Sequence, residues 1–433
     1  MDPVFVGLLC VLGLFVLMMI GVPIVYSVGF VSVCAALLAY GKSALYLAGT
    51  IPFTMLFRLD WTALPLFVLM GSIMGASGMG KDIFYAASKW LSRIPGGLVV
   101  AGIVAEGVIA STLGTSAACI MVVGKVAVPE FERQGYHKGF ALGALLAGGV
   151  LGPLIPPSAT LIIYGVLTHT SVGKLFIAGL IPGIILIFFL AIPAIIISKM
   201  RPELAPRTFK VPWEERLSAL RGVWPIPIVV FSVMGVLYLG IATPTETAGV
   251  AVVVALLLAI FAFGLRWKGL KEALIDAASV NGMILFILVA ATYFTYVVGS
   301  TNAAERILLF VRSASIPKWE VIVAINVILL ILGCIIDPIT ITLLTIPIFH
   351  PVIVNLGLDP VWFGIVFCVN TQIGLITPPM GIDLFAIKTV FEVSTLEILR
   401  GVMPFLLSEI AFLALISACP SISLWLPSMM IGK

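Results

Sequence analysis

The sequence has little charge. Asp, Glu, Lys and Arg together make up 10% of its 433 residues, whereas about a quarter of the residues of a soluble globular protein are charged. Hydrophobic residues make up 61%, and the mean hydropathy is +1.23. This composition excludes a soluble globular protein and predicts a chain that lies in a membrane, without a separate soluble domain.

Several functional signatures are also missing. The six cysteines form no Cys-x-x-Cys pair, so we expect buried small hydrophobes and not disulfides or metal ligands. The motifs HExxH and GxSxG are absent and the three histidines lie far apart, which argues against an intramembrane enzyme. No basic or aromatic-interleaved segment lies outside the apolar runs, so nucleic acid is not an expected partner. The start lacks a basic leader and is interpreted as a first span.

Two proline doublets interrupt the apolar runs. GPLIPP at 152–157 recurs as GLITPP at 374–379, an offset of 222 residues. The same offset relates three further pairs: Pro129 with Pro351, Gly179 with Gly401, and Pro182 with Pro404. This register over more than fifty residues predicts an internal duplication. Because lipid tolerates broken backbone only where protein or water satisfies it, each doublet marks a candidate binding site.

The stretch STLGTSAAC at 111–119 is too polar and flexible for the middle of one long span. It predicts a re-entrant hairpin whose tip lies near Gly114 to Ser116. Glu106 and Lys125 fall symmetrically on either side of that tip, so we predict an ion pair between the two arms. The alternative is that each charge reaches the interface separately.

The predicted fold is an all-α polytopic membrane protein of two inverted repeats, each with a re-entrant hairpin and a Pro-Pro-interrupted helix. The first repeat covers 1–198, with its hairpin at about 96–128 and its broken helix at 139–170. The charged segment 199–222 is a cytoplasmic linker. The second repeat covers 223–433, with its hairpin at about 320–355 and its broken helix at 360–390.

Charge predicts the orientation. With five crossings in the first half, the second half is inverted, and one side of the membrane receives most of the 24 Lys and Arg residues. The positive-inside rule makes that side cytoplasmic and leaves both termini periplasmic. Inverted repeats around interrupted helices are the architecture of secondary transporters.

At this point the residues resemble a known family. GPLIPPSATLIIYG, SVGKLFIAGLIPG, NTQIGLITPPMGIDLF, LPLFVLMG and GCIIDPITITLLTIPIFHP resemble the large membrane subunit of TRAP (tripartite ATP-independent periplasmic) transporters. The resemblance implies an elevator-type, sodium-coupled importer of organic acids in the bacterial inner membrane, and no enzyme or organic cofactor. It also implies two partners, a soluble periplasmic binding protein and a small four-helix membrane subunit. The alternative is a stand-alone sodium-coupled symporter of the divalent-anion type.

Sodium prefers oxygen ligands, which backbone freed by helix breaks and nearby hydroxyl and carboxylate groups supply. In each half the hairpin tip is therefore expected to face the break. The predicted sodium-binding residues are Gly114, Thr115, Ser116, Gly152 and Pro156 in the first half, and Asp337, Thr340, Gly374, Thr377 and Gly381 in the second. Close helix packing is the alternative for Thr115 and Ser116, and capping of a helix terminus is the alternative for Asp337.

The predicted substrate-binding residues are Ser158, Asn370, Gln372 and Asp383. Ser158 follows the first proline doublet, where the start of a half-helix favours an anion. Asn370 and Gln372 precede the second break, although bonding between hairpin and helix explains them equally well. The family frequently has an amide where this chain has Asp383, so its role stays open between sodium ligand, substrate contact and proton carrier.

Overall fold

The computed structural model describes residues 12–14, 16–17, 20–206, 210–299, 303–378, 381–391 and 393–430. Within these residues the regular structure is helical and contains no strand. The predicted first crossing at about 4–20 lies mostly outside them. Prolines and glycines divide the chain into many helices, because proline cannot continue a helix through its own position without losing a hydrogen bond.

The first half contains ten helices within the described residues. They are α1 (Ile24–Tyr40), α2 (Ser43–Leu56), α3 (Ala63–Ala76), α4 (Met79–Leu91), α5 (Gly97–Leu113), α6 (Ser116–Arg133), α7 (Lys138–Gly148), α8 (Leu151–Leu154), α9 (Ala159–Thr168) and α10 (Val172–Met200). Among these ten, α4 has the most one-sided distribution of apolar side chains, as a helix at a membrane surface does.

The linker and second half continue with twelve helices among the described residues. They are α11 (Trp213–Ala219), α12 (Pro225–Val230), α13 (Val236–Tyr238), α14 (Pro244–Phe261), α15 (Trp267–Gly299), α16 (Ala303–Ser313), α17 (Lys318–Gly333), α18 (Pro338–Asn355), α19 (Pro360–Ile376), α20 (Ile382–Val390), α21 (Thr395–Ala418) and α22 (Ser421–Ser428). A π-helical turn at Phe231–Gly235 joins α12 to α13.

The helix bounds of the two halves stand at nearly the same offset as the proline motifs. Helix α6 begins at Ser116 and its counterpart α18 begins at Pro338. Helix α9 ends at Thr168 and its counterpart α20 ends at Val390. The structure places α5 and α6 in the stretch predicted as the first hairpin, and α17 and α18 in the stretch predicted as the second. The inverted orientation of the halves stays a prediction.

The broken helices lie in the middle of the protein. In the span formed by α7 to α9, every residue from 139 to 166 is buried. In α10, α14 and α15, buried residues alternate with half-buried and exposed ones. Every residue of α19 from Val361 to Ile376 is also buried. Protein therefore surrounds the first break and the helix that leads to the second, and the continuous helices are less buried.

By length and composition, six helices of the described residues could cross a membrane, or eight if each of two bent pairs counts as one span. The predicted class, an all-α polytopic membrane protein, is confirmed. After each break the chain packs against the hairpin of the other half, since α9 contacts α18 and α20 contacts α6. The breaks and both hairpins therefore form one assembly.

Candidate functional site

The tip of the first hairpin lies directly against the first helix break. Gly114 adopts a left-handed φ of 70°, and a Cβ on it would stand 2.5 Å from the carbonyl oxygen of Pro157. A Cβ on Gly152 would stand 2.7 Å from the carbonyl carbon and oxygen of Thr115. Only glycine permits backbone to approach backbone this closely. Glycines thus bring the carbonyl groups of tip and break together.

The other first-half residues predicted to bind sodium lie in the same place. Thr115 has an extended backbone and precedes the first residue of α6, Ser116. Ser116 is buried, and its hydroxyl lies near the carboxylate of Asp383. Pro156 is buried in the break itself. Asp383, predicted as a substrate residue, therefore reaches the first hairpin from the second half.

In the second half, Asp337 caps helix α18. Its carboxylate accepts hydrogen bonds from the backbone N–H of Thr340 at 3.0 Å and from the Thr340 hydroxyl at 2.6 Å. Asp337 thus forms the helix cap that the sequence left open as its alternative role. The same two hydrogen bonds hold Thr340 beside the carboxylate. By the 222-residue offset Asp337 corresponds to Thr115, which likewise precedes its helix.

The second break contacts the end of its hairpin arm. A Cβ on Gly374 would stand 2.4 Å from the Cα of Gly333, the last residue of α17. The hydroxyl of Thr377 donates to the carbonyl oxygen of Ile373 at 2.6 Å, and Gly381 has a φ of 54° where α20 begins. Pro379, the second proline of this doublet, lies outside the described residues.

The two halves meet between the breaks. Cys368 of α19 donates its thiol to the carbonyl oxygen of Pro153 at 3.2 Å, and the Ser158 hydroxyl lies beside the Cys368 sulfur. Ser158 also caps α9 by accepting from the backbone N–H of Leu161 at 3.2 Å. Ser158, predicted from its position after the doublet, thus lies where the first break meets the second half.

The two buried amides before the second break have different surroundings. The side-chain nitrogen of Asn370 donates to Asn326 of the hairpin arm α17, at 2.8 Å to the side-chain oxygen and 3.0 Å to the backbone oxygen. Hairpin-to-helix bonding therefore accounts for this nitrogen. The side-chain oxygens of Asn370 and Gln372 are buried without a hydrogen-bond partner, so both are available as ligands for a cation or a donor.

The predicted ion pair between Glu106 and Lys125 is wrong. Glu106 is fully buried and neither carboxyl oxygen has a hydrogen-bond partner, whereas Lys125 lies exposed on the other arm. Equal distance from the tip does not fix the rotation of a helix about its axis, and here the two side chains face different directions. Glu106 instead occupies the space that Gly148 leaves beside it. Its carboxyl group interacts electrostatically with that of Asp383.

Sequence reasoning also missed contributors. Cys368 joins the halves and Asn326 holds Asn370, yet both read as ordinary residues of apolar helices. The sequence feature that could have indicated close helix contacts is the glycines Gly148 and Gly333, which lie in apolar stretches where two helices approach each other. Glycine at such a position indicates close approach but does not identify the partner.

Two cavities open at opposite ends of the broken span α7 to α9. A cavity of about 730 Å³ lies beside its beginning, among α7, α10 and α21. Another of about 710 Å³ lies beside its end at His169, where the chain approaches the start of α14. The first is on the predicted cytoplasmic side and the second on the predicted periplasmic side.

Comparison with known proteins decides the family. Residues 11–422 match the model of the family described as "Tripartite ATP-independent periplasmic transporter, DctM component". The chain belongs to this family. It is therefore a TRAP large permease and not an enzyme, as the sequence predicted, and large permeases work with a small membrane subunit and a periplasmic binding protein.

Curated relatives cover nearly the same length. The chain is 34% identical to the C4-dicarboxylate TRAP transporter large permease protein of Pseudomonas aeruginosa, over 84% of this chain and 86% of that one. It is 31% identical to the protein of the same name from Rhodobacter capsulatus, over 98% and 99%. The sialic acid TRAP transporter permease protein of Haemophilus influenzae is 31% identical over 96% of this chain but only 67% of its own, longer chain.

A solved structure shares the fold of this TRAP large permease. The crystal structure of the YdaH transporter of Alcanivorax borkumensis matches with a TM-score of 0.60, over 87% of this chain and 88% of that one. The sequence identity is 14%, so this likeness concerns the architecture alone.

Proposed function

We propose that this large permease subunit imports a carboxylate-bearing organic acid, coupled to sodium ions, by an elevator movement of its central helices. The observation that carries the proposal is the contact of the first hairpin tip with the first helix break, at Gly114 with Pro157 and Gly152 with Thr115. Carbonyl oxygens of the tip and the break lie there, with the Ser116 hydroxyl and, from the second half, the Asp383 carboxylate close by. Sodium, a hard cation, prefers such ligands.

The second half supplies a different set of oxygens for a second sodium ion. Asp337 and Thr340 form a carboxylate and hydroxyl pair at the start of α18. The buried oxygens of Asn370 and Gln372 have no partner, and a buried acceptor without a donor is costly. A bound cation or a substrate donor would satisfy these oxygens, which is why we place ligands beside them.

The distribution of burial supports an elevator mechanism. The broken helices α7 to α9 and α19 are enclosed, whereas α10, α14 and α15 are only partly buried. Such an arrangement suits a central body that moves within an outer frame while the binding site stays intact. Domain movement of this kind is the general means by which transporters alternate access.

The substrate class is proposed from the relatives. Two relatives are named as C4-dicarboxylate transporters and one as a sialic acid transporter. C4-dicarboxylates and sialic acid are organic acids that carry carboxylate groups. The substrate carboxylate would be neutralised by the bound sodium ions, since the described stretches 152–158 and 374–378 contain no arginine. Ser158, in contact with both halves, is the proposed substrate donor.

The proposed setting is the bacterial inner membrane, with both termini periplasmic. The cavity among α7, α10 and α21, bordered by Arg201 and Arg400, would then face the cytoplasm in accordance with the positive-inside rule. A periplasmic binding protein would deliver substrate at the opposite end. A four-helix subunit would contact the outer frame.

The second candidate is a symporter that works alone, of the divalent-anion type. The structural match to the YdaH transporter favours neither candidate, because it concerns the fold. Reconstitution distinguishes them. We expect uptake of a labelled organic acid into proteoliposomes only when the small subunit, the binding protein and an inward sodium gradient are all present. Uptake by this polypeptide alone would support the second candidate, and uptake unaffected by replacing sodium with potassium would reject sodium coupling.

A further inference from the structure

Glu409 is an acid that none of the sites above uses. It lies near the middle of α21, is fully buried, and neither of its carboxyl oxygens has a hydrogen-bond partner. An ionised carboxylate without a partner in such surroundings is very unfavourable. The protein must therefore hold Glu409 in its neutral form in this conformation, or supply a cation to it.

Aromatic side chains enclose Glu409 along the helix. Phe405, one turn before it, packs on Phe140 of α7 with ring centroids 5.9 Å apart, and Phe412, one turn after it, packs on Phe189 of α10 at 5.5 Å. These residues lie on the same buried stripe of α21 as Glu409. Rings supply no oxygen ligands, so the enclosure suits a proton better than a metal ion.

The cavity among α7, α10 and α21 reaches α21 at Pro404, on the N-terminal side of Glu409. Both Phe140 and Pro404 line it, and Glu409 follows Pro404 by five residues, which is about 7.5 Å along a helix. Phe140 therefore borders the cavity and also packs on Phe405, one turn before Glu409. Rotation of one ring, or a small separation of α7 from α21, would admit water to the carboxyl.

The titratable groups of the surrounding elements do not contact the Glu409 carboxyl. On α21 itself, Glu397 and Arg400 line the cavity, as do His137 and Arg201 from neighbouring segments. The helices packed against α21 carry the following titratable or charged residues: Lys138 at the start of α7, Lys174 and Lys199 near the ends of α10, Cys368 in α19, and Asp383 and Lys388 in α20. None of them lies within hydrogen-bonding distance of the Glu409 oxygens. A proton is thus the available counter-charge.

We propose that Glu409 is a proton-binding site, loaded and unloaded through the cavity among α7, α10 and α21. The carboxylate takes a proton from cavity water and becomes a carboxylic acid, and the reverse step returns the proton to that water. Because protonation favours the closed packing of α7 on α21, the conformational equilibrium of the permease depends on protons in addition to sodium.

Infrared spectroscopy of the purified permease with its small subunit tests the site without any transport. The wild-type spectrum minus that of Glu409→Gln should contain the C=O stretch of a protonated carboxyl, which shifts in deuterated water. Glu409→Asp should move this band. The matched control Glu320→Gln, at an exposed position, should leave it unchanged.

A carboxylate band in place of the carboxylic acid band, or no difference between wild type and Glu409→Gln, would overturn the proposal. If Glu409→Gln does not fold, the shifted band of Glu409→Asp gives the same answer. In proteoliposomes containing a pH-sensitive dye, the number of protons moved per substrate should fall in Glu409→Gln. A protonated Glu409 in a permease that shows no sodium-dependent uptake would reject the proposed function and retain this site.

Discussion

Replacing Gly152 with alanine tests whether the contact of hairpin tip and helix break forms a sodium site. The new Cβ would stand 2.7 Å from the carbonyl carbon and oxygen of Thr115 and 3.0 Å from the backbone nitrogen of Ser116. Ordinary van der Waals contact begins at 3.4 Å, so tip and break must separate by about 0.7 Å to relieve the shortest contacts. Metal coordination tolerates shifts of only about 0.2 Å.

Overpacking of this kind costs about 1–3 kcal/mol. If the cost is taken from sodium binding, the sodium concentration for half-maximal uptake should rise by about 5- to 150-fold. The assay is uptake of labelled substrate by the complete transporter in proteoliposomes over a range of sodium concentrations. Thermal unfolding of the same preparation, with and without sodium, reports binding independently of transport.

Gly249→Ala is the matched control. Gly249 lies in α14, where an added Cβ meets nothing within 4 Å, and alanine in a helix is favoured over glycine by about 1 kcal/mol. Sodium dependence should therefore be unchanged and stability equal or higher. If Gly152→Ala also left the half-maximal sodium concentration within twofold of wild type, the tip and break would not form the sodium site.

Three further predictions concern other contacts. Asp337→Asn should retain most of the α18 cap, because asparagine caps helices as well as aspartate does. It should raise the sodium concentration needed for uptake at least about tenfold, since one full charge is worth more than 1.4 kcal/mol to a buried cation. Unchanged sodium dependence in uptake assays would show that Asp337 acts only as a helix cap. Ser116→Ala and Asp383→Asn should be coupled by about 0.5–3 kcal/mol in a double-mutant cycle of unfolding, and additive effects would contradict an interaction of these two side chains across the halves. Gly401→Ala, whose Cβ would meet the backbone of Gly139 on α7, should lower the free energy of unfolding by about 1–3 kcal/mol, and a stability equal to wild type would show that α7 and α21 do not approach this closely.

The sequence predicted the class of the protein and the positions of both helix breaks because these depend on local physics. A charged fraction of 10% cannot support a soluble surface, and a proline doublet interrupts a helix wherever it stands. The 222-residue offset also located the start of α18 from that of α6. These features are set by composition and by the backbone.

The partners of individual side chains could not be predicted in the same way. Glu106 and Lys125 are symmetric about the hairpin tip in sequence, but the rotation of each arm depends on which residues pack against it, and Gly148 provides the space that Glu106 fills. The contact of Ser158 with Cys368 joins residues 210 positions apart, and no spacing rule predicts such a pair. Asp383 and Ser116 are a second example of contact across the halves.

The most direct test of the central claim is a cross-link between the two helix breaks. With cysteine at position 158, the native Cys368 retained and the other cysteines removed, oxidation should form a disulfide, because the side chain at 158 lies beside that of Cys368 and a disulfide joins neighbouring side chains. After cleavage at a protease site placed in the linker at 199–222, the halves should stay together on a denaturing gel until a reductant is added. Halves that separate under oxidising conditions, while the protein still unfolds cooperatively, would show that the two breaks do not meet.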